Sequence, residues 1–118
     1  MANSQRRPRD GFSRDATGFR GRRLEELFRE ELNSILDFEI NDPRLEGIRI
    51  TAIELSRDGG RARVLFRAAP ELPPLDAMHA FERATGFLRR RLCDALPLKR
   101  TPELRFALDP SAFAEYEA

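Results

Sequence analysis

The residues best suited to bind a phosphate group lie inside one predicted helix, residues 75–96. Its centre reads Ala84-Thr85-Gly86-Phe87-Leu88-Arg89-Arg90-Arg91. At about 100° per residue, the apolar side chains form one stripe, and Gly86 falls on the opposite, basic face with Arg83, Arg89 and Arg90. Glycine inside a helix costs about 1 kcal/mol relative to alanine. Its position therefore predicts either a kink or a place where another backbone, such as that of a nucleic acid, comes close.

Catalytic chemistry has little support in the sequence. His79 is the only histidine and Cys93 the only cysteine, and no pattern pairs either with an activating group. The carboxylates lie on a helix face and in loops, with no glycine-rich phosphate loop or metal motif beside them. We therefore predict no enzyme activity, no catalytic residue, no metal and no cofactor.

Length and composition indicate one small domain. A chain of 118 residues can bury a single modest core. No stretch approaches the roughly 20 apolar residues of a membrane span, and no apolar run follows the N-terminal arginines as in a secretory signal. A single cysteine fits a reducing compartment. We expect a cytoplasmic protein that binds neither a membrane nor a small-molecule substrate.

The net charge of +1 conceals an uneven distribution. Residues 1–23 contain seven arginines against two aspartates, a net charge of +5, so the remainder carries −4. Lys99 is the only lysine. Guanidinium groups suit bidentate phosphate contacts, although a high genomic GC content would produce the same bias.

Residues 1–21 are predicted to form a disordered basic arm, because they hold too little apolar surface to fold. Arginine interleaved with Phe12 and Phe19 is suited to RNA, where charges contact phosphates and rings stack on bases. A solubilising tail is the alternative. The two aspartates and the absence of an amphipathic period argue against a mitochondrial transit peptide.

The folded domain is predicted to span residues 22–110, followed by a short tail or helix over residues 111–118. An amphipathic helix is expected from Arg22 to about Ile40, and Asn41-Asp42-Pro43 ends it. Its predicted apolar stripe consists of Leu24, Leu27, Phe28, Leu32, Ile35 and Phe38. Its exposed face is acidic, a surface that a protein partner could also use.

Three strands and the Gly86 helix complete the domain. The first strand changes phase at Thr51-Ala52, which predicts a bulge, and Asp58-Gly59-Gly60 predicts a hairpin turn. The second strand alternates apolar residues with Arg61, Arg63 and Arg67, and a third covers Glu103 to Asp109. The predicted fold class is α+β, with a three-stranded sheet in the order helix, strand, strand, kinked helix, strand.

Four short motifs in this order resemble the bacterial ribosome-binding factor A family over roughly residues 22–108. They are Asp42-Pro43-Arg44-Leu45, Ser56-Arg57-Asp58, Ala84-Thr85-Gly86-Phe87-Leu88-Arg89, and Pro102-Glu103-Leu104 with Phe106. The resemblance implies a type II KH-like fold in which an Ala-x-Gly kink replaces the Gly-x-x-Gly loop. It also implies a factor that binds the small (30S) ribosomal subunit in late maturation and assists 5′-end processing of 16S rRNA, often linked to growth in the cold.

Carried onto this sequence, the resemblance implies an RNA-binding set centred on Gly86. The amides after Gly86 would form a helix N-terminus suited to a phosphate oxygen. The implied set is Arg22, Arg23, Arg83, Ala84, Thr85, Gly86, Arg89, Arg90, Arg91, Lys99 and Arg100. Arg44 is instead expected to anchor its own turn through a carboxylate such as Asp42 or Glu39.

Partners and alternatives follow from these features. We expect a monomer that binds the small subunit and its 16S rRNA. One alternative is a protein-interaction module using the acidic helix, with Leu65 and Phe87 as apolar contacts. Another is a generic KH-type reader of single-stranded RNA, which would show a sequence preference for short oligonucleotides.

Overall fold

The computed structural model describes the backbone of residues 14–111 and the side chains of residues 21–111. The predicted order of elements is confirmed. The elements are α1 (Arg14–Phe38), a 3-10 turn (Pro43–Leu45), β1 (Arg49–Leu55), β2 (Arg61–Arg67), α2 (Pro74–Ala95) and β3 (Glu103–Leu108). No helix within residues 14–111 is both long and apolar enough to cross a membrane.

The three strands form one mixed sheet in the order β1-β2-β3. β1 and β2 pair antiparallel through the hairpin, whereas β2 and β3 run parallel because α2 provides the crossover between them. The register shifts between Ile50 and Ala52, which confirms the predicted bulge. The α+β fold class and the three-stranded sheet are therefore as expected.

Both helices pack on one face of the sheet and enclose the core. Phe81 of α2 lies at its centre, with its ring 5.2 Å from that of Phe66 and stacked 4.2 Å from that of Phe106. Alternate β2 residues Ala62, Val64 and Phe66 are fully buried beneath the helices. These contacts fix α2 against β2 and β3, so the opposite face of α2 is held toward solvent.

Helix α1 begins earlier than the sequence predicted. Its first residue is Arg14 rather than Arg22, so residues 14–21, assigned to the disordered arm, are helical. This segment was assigned to the arm because it holds too little apolar surface to fold on its own. Adding a residue to an existing helix costs much less free energy than starting a new helix. The helix can therefore extend into this segment from the packed turns that follow it in the sequence. The rest of the predicted arm, residues 1–13, lies outside the described residues.

Phe38 was wrongly placed on the buried stripe of α1. Phe28, Leu32 and Ile35 are buried as predicted, whereas Phe38 is 83% exposed. Ten residues separate it from Phe28, which turns it about 80° away from the centre of the stripe. Leu36 packs against the core at this end of the helix instead.

The chain leaves β3 through a capped turn. The amide of Asp109 donates to the Phe66 carbonyl at 2.8 Å, and its carboxylate accepts from the Ser111 amide at 2.9 Å. Aspartate is a favoured N-cap, and Ser111 is helical. The rest of the segment predicted as a short tail or helix, residues 112–118, lies outside the described part of the chain.

Candidate nucleic-acid interface

The exposed side of α2 carries Arg83, Gly86, Phe87 and Arg90, which we call the Gly86 face. Arg83, Gly86 and Arg90 are exposed, and Phe87 is 37% exposed. An ideal Cβ placed on Gly86 has no heavy atom within 4 Å. Nothing in the described protein therefore requires a glycine here, and the surface above it is open to a partner.

The expected helix N-terminus after Gly86 is not present. Residues 74–95 form one uninterrupted α-helix, so the amides that follow Gly86 are interior to a helix that begins at Pro74. The hydroxyl of Thr85 donates to the Phe81 carbonyl at 2.9 Å, a back-bond that bends helices without ending them. Anion binding by free backbone amides at this point was therefore a wrong expectation, and side chains must supply the donors.

Ala84 and Thr85 do not share the exposure of Gly86. Both are half-buried, and Ala84 packs against the core. They belong to the side of α2 that faces the protein, and of the three-residue motif only Gly86 is exposed. Their predicted RNA contact thus has no support in their placement.

Arg89 serves the fold through its guanidinium group. Its Nε donates to the Pro102 carbonyl at 3.0 Å and its Nη2 to the Thr101 carbonyl at 3.1 Å. These bonds attach α2 to the segment that enters β3. One planar guanidinium group thus satisfies two backbone acceptors.

Arg91 is also engaged within the protein. It forms a bidentate ion pair with Glu39, with Nε to Oε1 at 2.7 Å and Nη2 to Oε2 at 3.1 Å. The hydrogen bonds to this carboxylate raise the pKa of Arg91. Of the three consecutive arginines, only Arg90 is exposed with no hydrogen bond or ion pair to the described residues.

Two acidic side chains on the exposed face of α1 are paired with arginines. Glu26 is bonded to Arg29, and Asp37 accepts three hydrogen bonds from Arg49 at 2.9, 3.2 and 3.1 Å. Ion pairing reduces the potential that a basic partner would meet. The protein-interaction hypothesis therefore loses part of the charged surface on which it was based.

Arg44 anchors its own turn, as predicted. Its Nε and Nη2 donate to the two carboxylate oxygens of Asp42 at 3.1 and 2.9 Å, and its amide donates to the same carboxylate. The pKa of Asp42 is held below its ordinary value, first by these side-chain bonds and also by the nearby charge of Arg83. Arg83 thus lies at the edge of the Gly86 face, close to one acidic neighbour.

The remaining predicted cations lie at the end of the domain that contains the β1–β2 turn. We call this the hairpin end: the turn at residues 56–60 and the segment 96–103 before β3. The two parts are joined by a hydrogen bond from the Glu103 amide to the Gly60 carbonyl at 2.9 Å. Lys99 and Arg100 are exposed here.

Arg22 and Arg23 lie near the same end. Glu25, one turn further along α1, accepts a hydrogen bond from the Leu55 amide at 2.9 Å, where β1 enters the turn. Both arginines are exposed. The structure thus places Arg22, Arg23, Lys99 and Arg100 toward one end, while Arg83 and Gly86 lie further back along α2.

One exposed cation of the hairpin end was absent from the predicted set. Arg57 occupies the turn itself and is exposed. The sequence offered a signal in Ser56-Arg57-Asp58, since a residue at a turn tip is directed away from the core. From the sequence, this motif was interpreted only as one of the four that resemble the family.

The outer face of the sheet is rich in arginine but contains ion pairs. Arg63 lies 3.4 Å from Glu54, and Arg105 lies 3.4 Å from Glu103. Antiparallel sheets often expose one charged face, with cross-strand pairs of opposite sign. These contacts are those of a solvated sheet face rather than of an RNA-binding surface.

The element order, the mixed sheet and the two helices on one face define the class of this protein: an α+β domain of the type II KH-like kind. The crystal structure of ribosome-binding factor A from Thermus thermophilus has the same architecture. The two share 30% identity with a TM-score of 0.66, over 73% of this chain and 92% of the other.

Sequence comparison identifies the particular family. The sequence model described as Ribosome-binding factor A matches residues 20–117. Ribosome-binding factor A of Ruthia magnifica is 35% identical over 102 residues, which cover 83% of this chain and 87% of the relative. The chain belongs to the Ribosome-binding factor A family.

A further structural relative is a homology model of Thermus thermophilus ribosome binding factor A, fitted into a cryo-EM map of a 30S complex. It is 26% identical to this chain with a TM-score of 0.64, and the match covers 77% of this chain and 97% of the other. The position fitted in the 30S map is that of the Thermus thermophilus protein.

Proposed function

We propose that this protein binds the small ribosomal subunit during its late maturation and assists folding and 5′-end processing of 16S rRNA. Family membership and the 30S complex of a relative support the partner. Action in the cytoplasm, as a monomer and without making or breaking covalent bonds, belongs to the same proposal. A role in growth at low temperature follows from the resemblance noted in the sequence.

The observation that carries the proposal is the exposed glycine between two exposed arginines. Gly86 lies in the interior of α2 with open space where a Cβ would be. This glycine destabilises the helix by about 1 kcal/mol relative to alanine, and no described residue of the protein occupies the space beside it. A close approach by an RNA backbone, with Arg83 and Arg90 as phosphate donors, accounts for both facts.

The test begins with co-sedimentation of the full chain with purified small subunits, large subunits and intact ribosomes at low and moderate salt. We expect salt-sensitive binding to small subunits alone, because each neutralised phosphate contributes about 0.7 to 0.9 to the slope of log K against log salt. Equal binding to all three particles, or binding to none, would contradict the proposal.

The Gly86 face is tested with Gly86→Leu in the same assay. We expect unchanged melting, since the site is open, and binding to the small subunit weakened by about tenfold or more. Ala95→Leu is the matched control, because it adds an exposed leucine to α2 on the side of the helix opposite Gly86 without changing the charge. A normally folded Gly86→Leu protein with full affinity would show that no partner approaches Gly86.

A further inference from the structure

Three exposed cations surround the β1–β2 turn: Arg57, Lys99 and Arg100. We propose that the hairpin end is a second phosphate-binding surface, separate from the Gly86 face and engaging the same RNA. The inference rests on the proposed function for the identity of the RNA.

Contacts within the protein hold this surface in place before any partner arrives. Arg89 binds the carbonyls of Thr101 and Pro102, and the Glu103 amide binds the Gly60 carbonyl. Pro102 is fully buried. The two residues before this anchored segment, Lys99 and Arg100, are thereby held beside the turn, which lowers the entropy lost when they bind a ligand.

The turn itself is fixed by a set of short hydrogen bonds. The carboxylate of Asp58 accepts from the Ser56 hydroxyl at 2.9 Å and from the Gly60 amide at 2.8 Å. Gly59 adopts a φ of +73°, a conformation that side chains disfavour. Arg57 therefore projects from a rigid turn rather than from a mobile loop.

Gly60 leaves room for the Arg100 guanidinium. An ideal Cβ at Gly60 would lie 3.4 Å from both Cζ and Nη2 of Arg100. The pKa of Asp58 is held below its ordinary value first by the hydrogen bonds from the Gly60 amide and the Ser56 hydroxyl, and to a smaller extent by the charge of Arg100. The Arg100 N–H groups make no hydrogen bond to described residues, so all of them remain available to an external acceptor.

Two features make this a separate surface. From Gly86 to the end of α2 is nine residues, or about 14 Å at the rise of an α-helix, which exceeds the reach of one phosphate group. The two ends of the domain also differ in charge. Residues 56–60 and 96–103 together hold three cations and two acids, whereas the segment that leads into α2 at the opposite end contributes Glu71 and Asp76 as exposed acids.

The experiment compares two variants with equal loss of charge. R57Q/R100Q removes two arginines at the hairpin end. R49Q/R67Q removes two exposed arginines that occupy facing positions on β1 and β2 at the opposite end of the sheet. The Kd for purified small subunits is measured over a series of salt concentrations, with melting as a check on folding. R57Q alone is included, because Arg57 has no hydrogen bond or ion pair within the described residues.

We expect R57Q/R100Q to lower the salt slope by about 1.5 and to weaken binding by about tenfold or more at low salt, while R49Q/R67Q leaves the slope unchanged. R57Q alone should lower the slope by about half as much. Equal effects of the two double variants, or no effect of either, would overturn the second surface and leave the proposed function standing.

A parallel titration with protein-free 16S rRNA separates the two proposals. Hairpin-dependent binding to this RNA, in a protein that does not bind small subunits, would support the phosphate surface and contradict the proposed partner.

Discussion

Arg89, Arg90 and Arg91 have different surroundings although they are consecutive in the sequence. Arg89 bonds two backbone carbonyls, Arg91 pairs with Glu39, and Arg90 projects from the Gly86 face. Successive helical residues are about 100° apart, so three neighbours face three directions. Their individual roles can therefore be separated by single substitutions.

Arg89→Met should reduce the free energy of unfolding by about 1 to 3 kcal/mol, because it leaves the Thr101 and Pro102 carbonyls without their charged donor. Methionine retains a similar apolar stem. Chemical denaturation measures the loss.

Arg90→Met is the matched control for Arg89→Met. It should change stability by no more than about 0.5 kcal/mol, because Arg90 is exposed and makes no internal contact of this kind. It should instead weaken subunit binding. Equal destabilisation by the two substitutions would show that the Arg89 bonds do not contribute as described.

Stability should fall in acid because two turn carboxylates have lowered pKa values. The Gly60 amide and the Ser56 hydroxyl lower the pKa of Asp58, and the Thr51 hydroxyl lowers that of Asp109, each from an ordinary value of 3.8. A folded-state pKa below the unfolded value gives stability that is fully present above the unfolded pKa. That stability is lost as the pH falls through the folded pKa.

We therefore expect the urea midpoint to be lower at pH 3 than at pH 7. Asp58→Asn should make the difference smaller, whereas Glu71→Gln, at an exposed loop carboxylate, should not. A midpoint that rises in acid, or an unchanged difference in Asp58→Asn, would contradict the assigned role of these bonds.

At the scale of the elements, the sequence predicted most of the fold because burial repeats with the period of each element. Strand alternation located β2 and β3, and a phase change located the β1 bulge. The start of α1 was missed because residues 14–21 hold too little apolar surface to fold alone, whereas the observed helix extends from turns that pack further along the chain. Phe38 was missed because it lies about 80° from Phe28 around the helix, at the margin of the apolar stripe, where the angle alone does not decide burial.

The candidate site was only partly predictable. Composition identified the arginines, but pairing depends on residues distant in sequence: Arg91 meets Glu39, and Arg89 meets Thr101. No local pattern distinguishes such arginines from the exposed Arg83 and Arg90. The continuity of α2 was likewise hidden, because glycine is compatible with both a kink and an exposed helical position.

The early start of α1 leads to a prediction about two truncations. Removing residues 2–13, which contain Arg6, Arg7 and Arg9, should leave the melting temperature nearly unchanged and weaken subunit binding. Removing residues 2–21 also deletes the first turns of α1, and should cost about 1 kcal/mol more in stability through exposed helix amides. Circular dichroism melting and subunit co-sedimentation measure the two effects.

A large loss of stability on removing residues 2–13 alone would show that this segment packs on the domain. Unchanged binding by both truncated proteins would show that the N-terminal arginines do not contact the partner.

At the scale of the whole molecule, charge is distributed along the axis of the sheet. The hairpin end has Arg57, Lys99 and Arg100, whereas exposed Glu71 and Asp76 lie where the chain enters α2. The net charge of only +1 therefore describes the molecule poorly. Two proteins with this net charge can behave differently if one has its charges mixed and the other has them separated.

The consequence of this separation concerns the approach to the partner rather than the bound state. A molecule with a permanent dipole experiences a torque in the field of a polyanion, so it turns before it touches. In random collisions, a small domain only rarely presents its binding surface to the partner. Rotation during the approach raises the fraction of collisions that lead to binding. Because salt shortens the range of that field, added salt should slow association first, while each complex that forms keeps nearly the same lifetime.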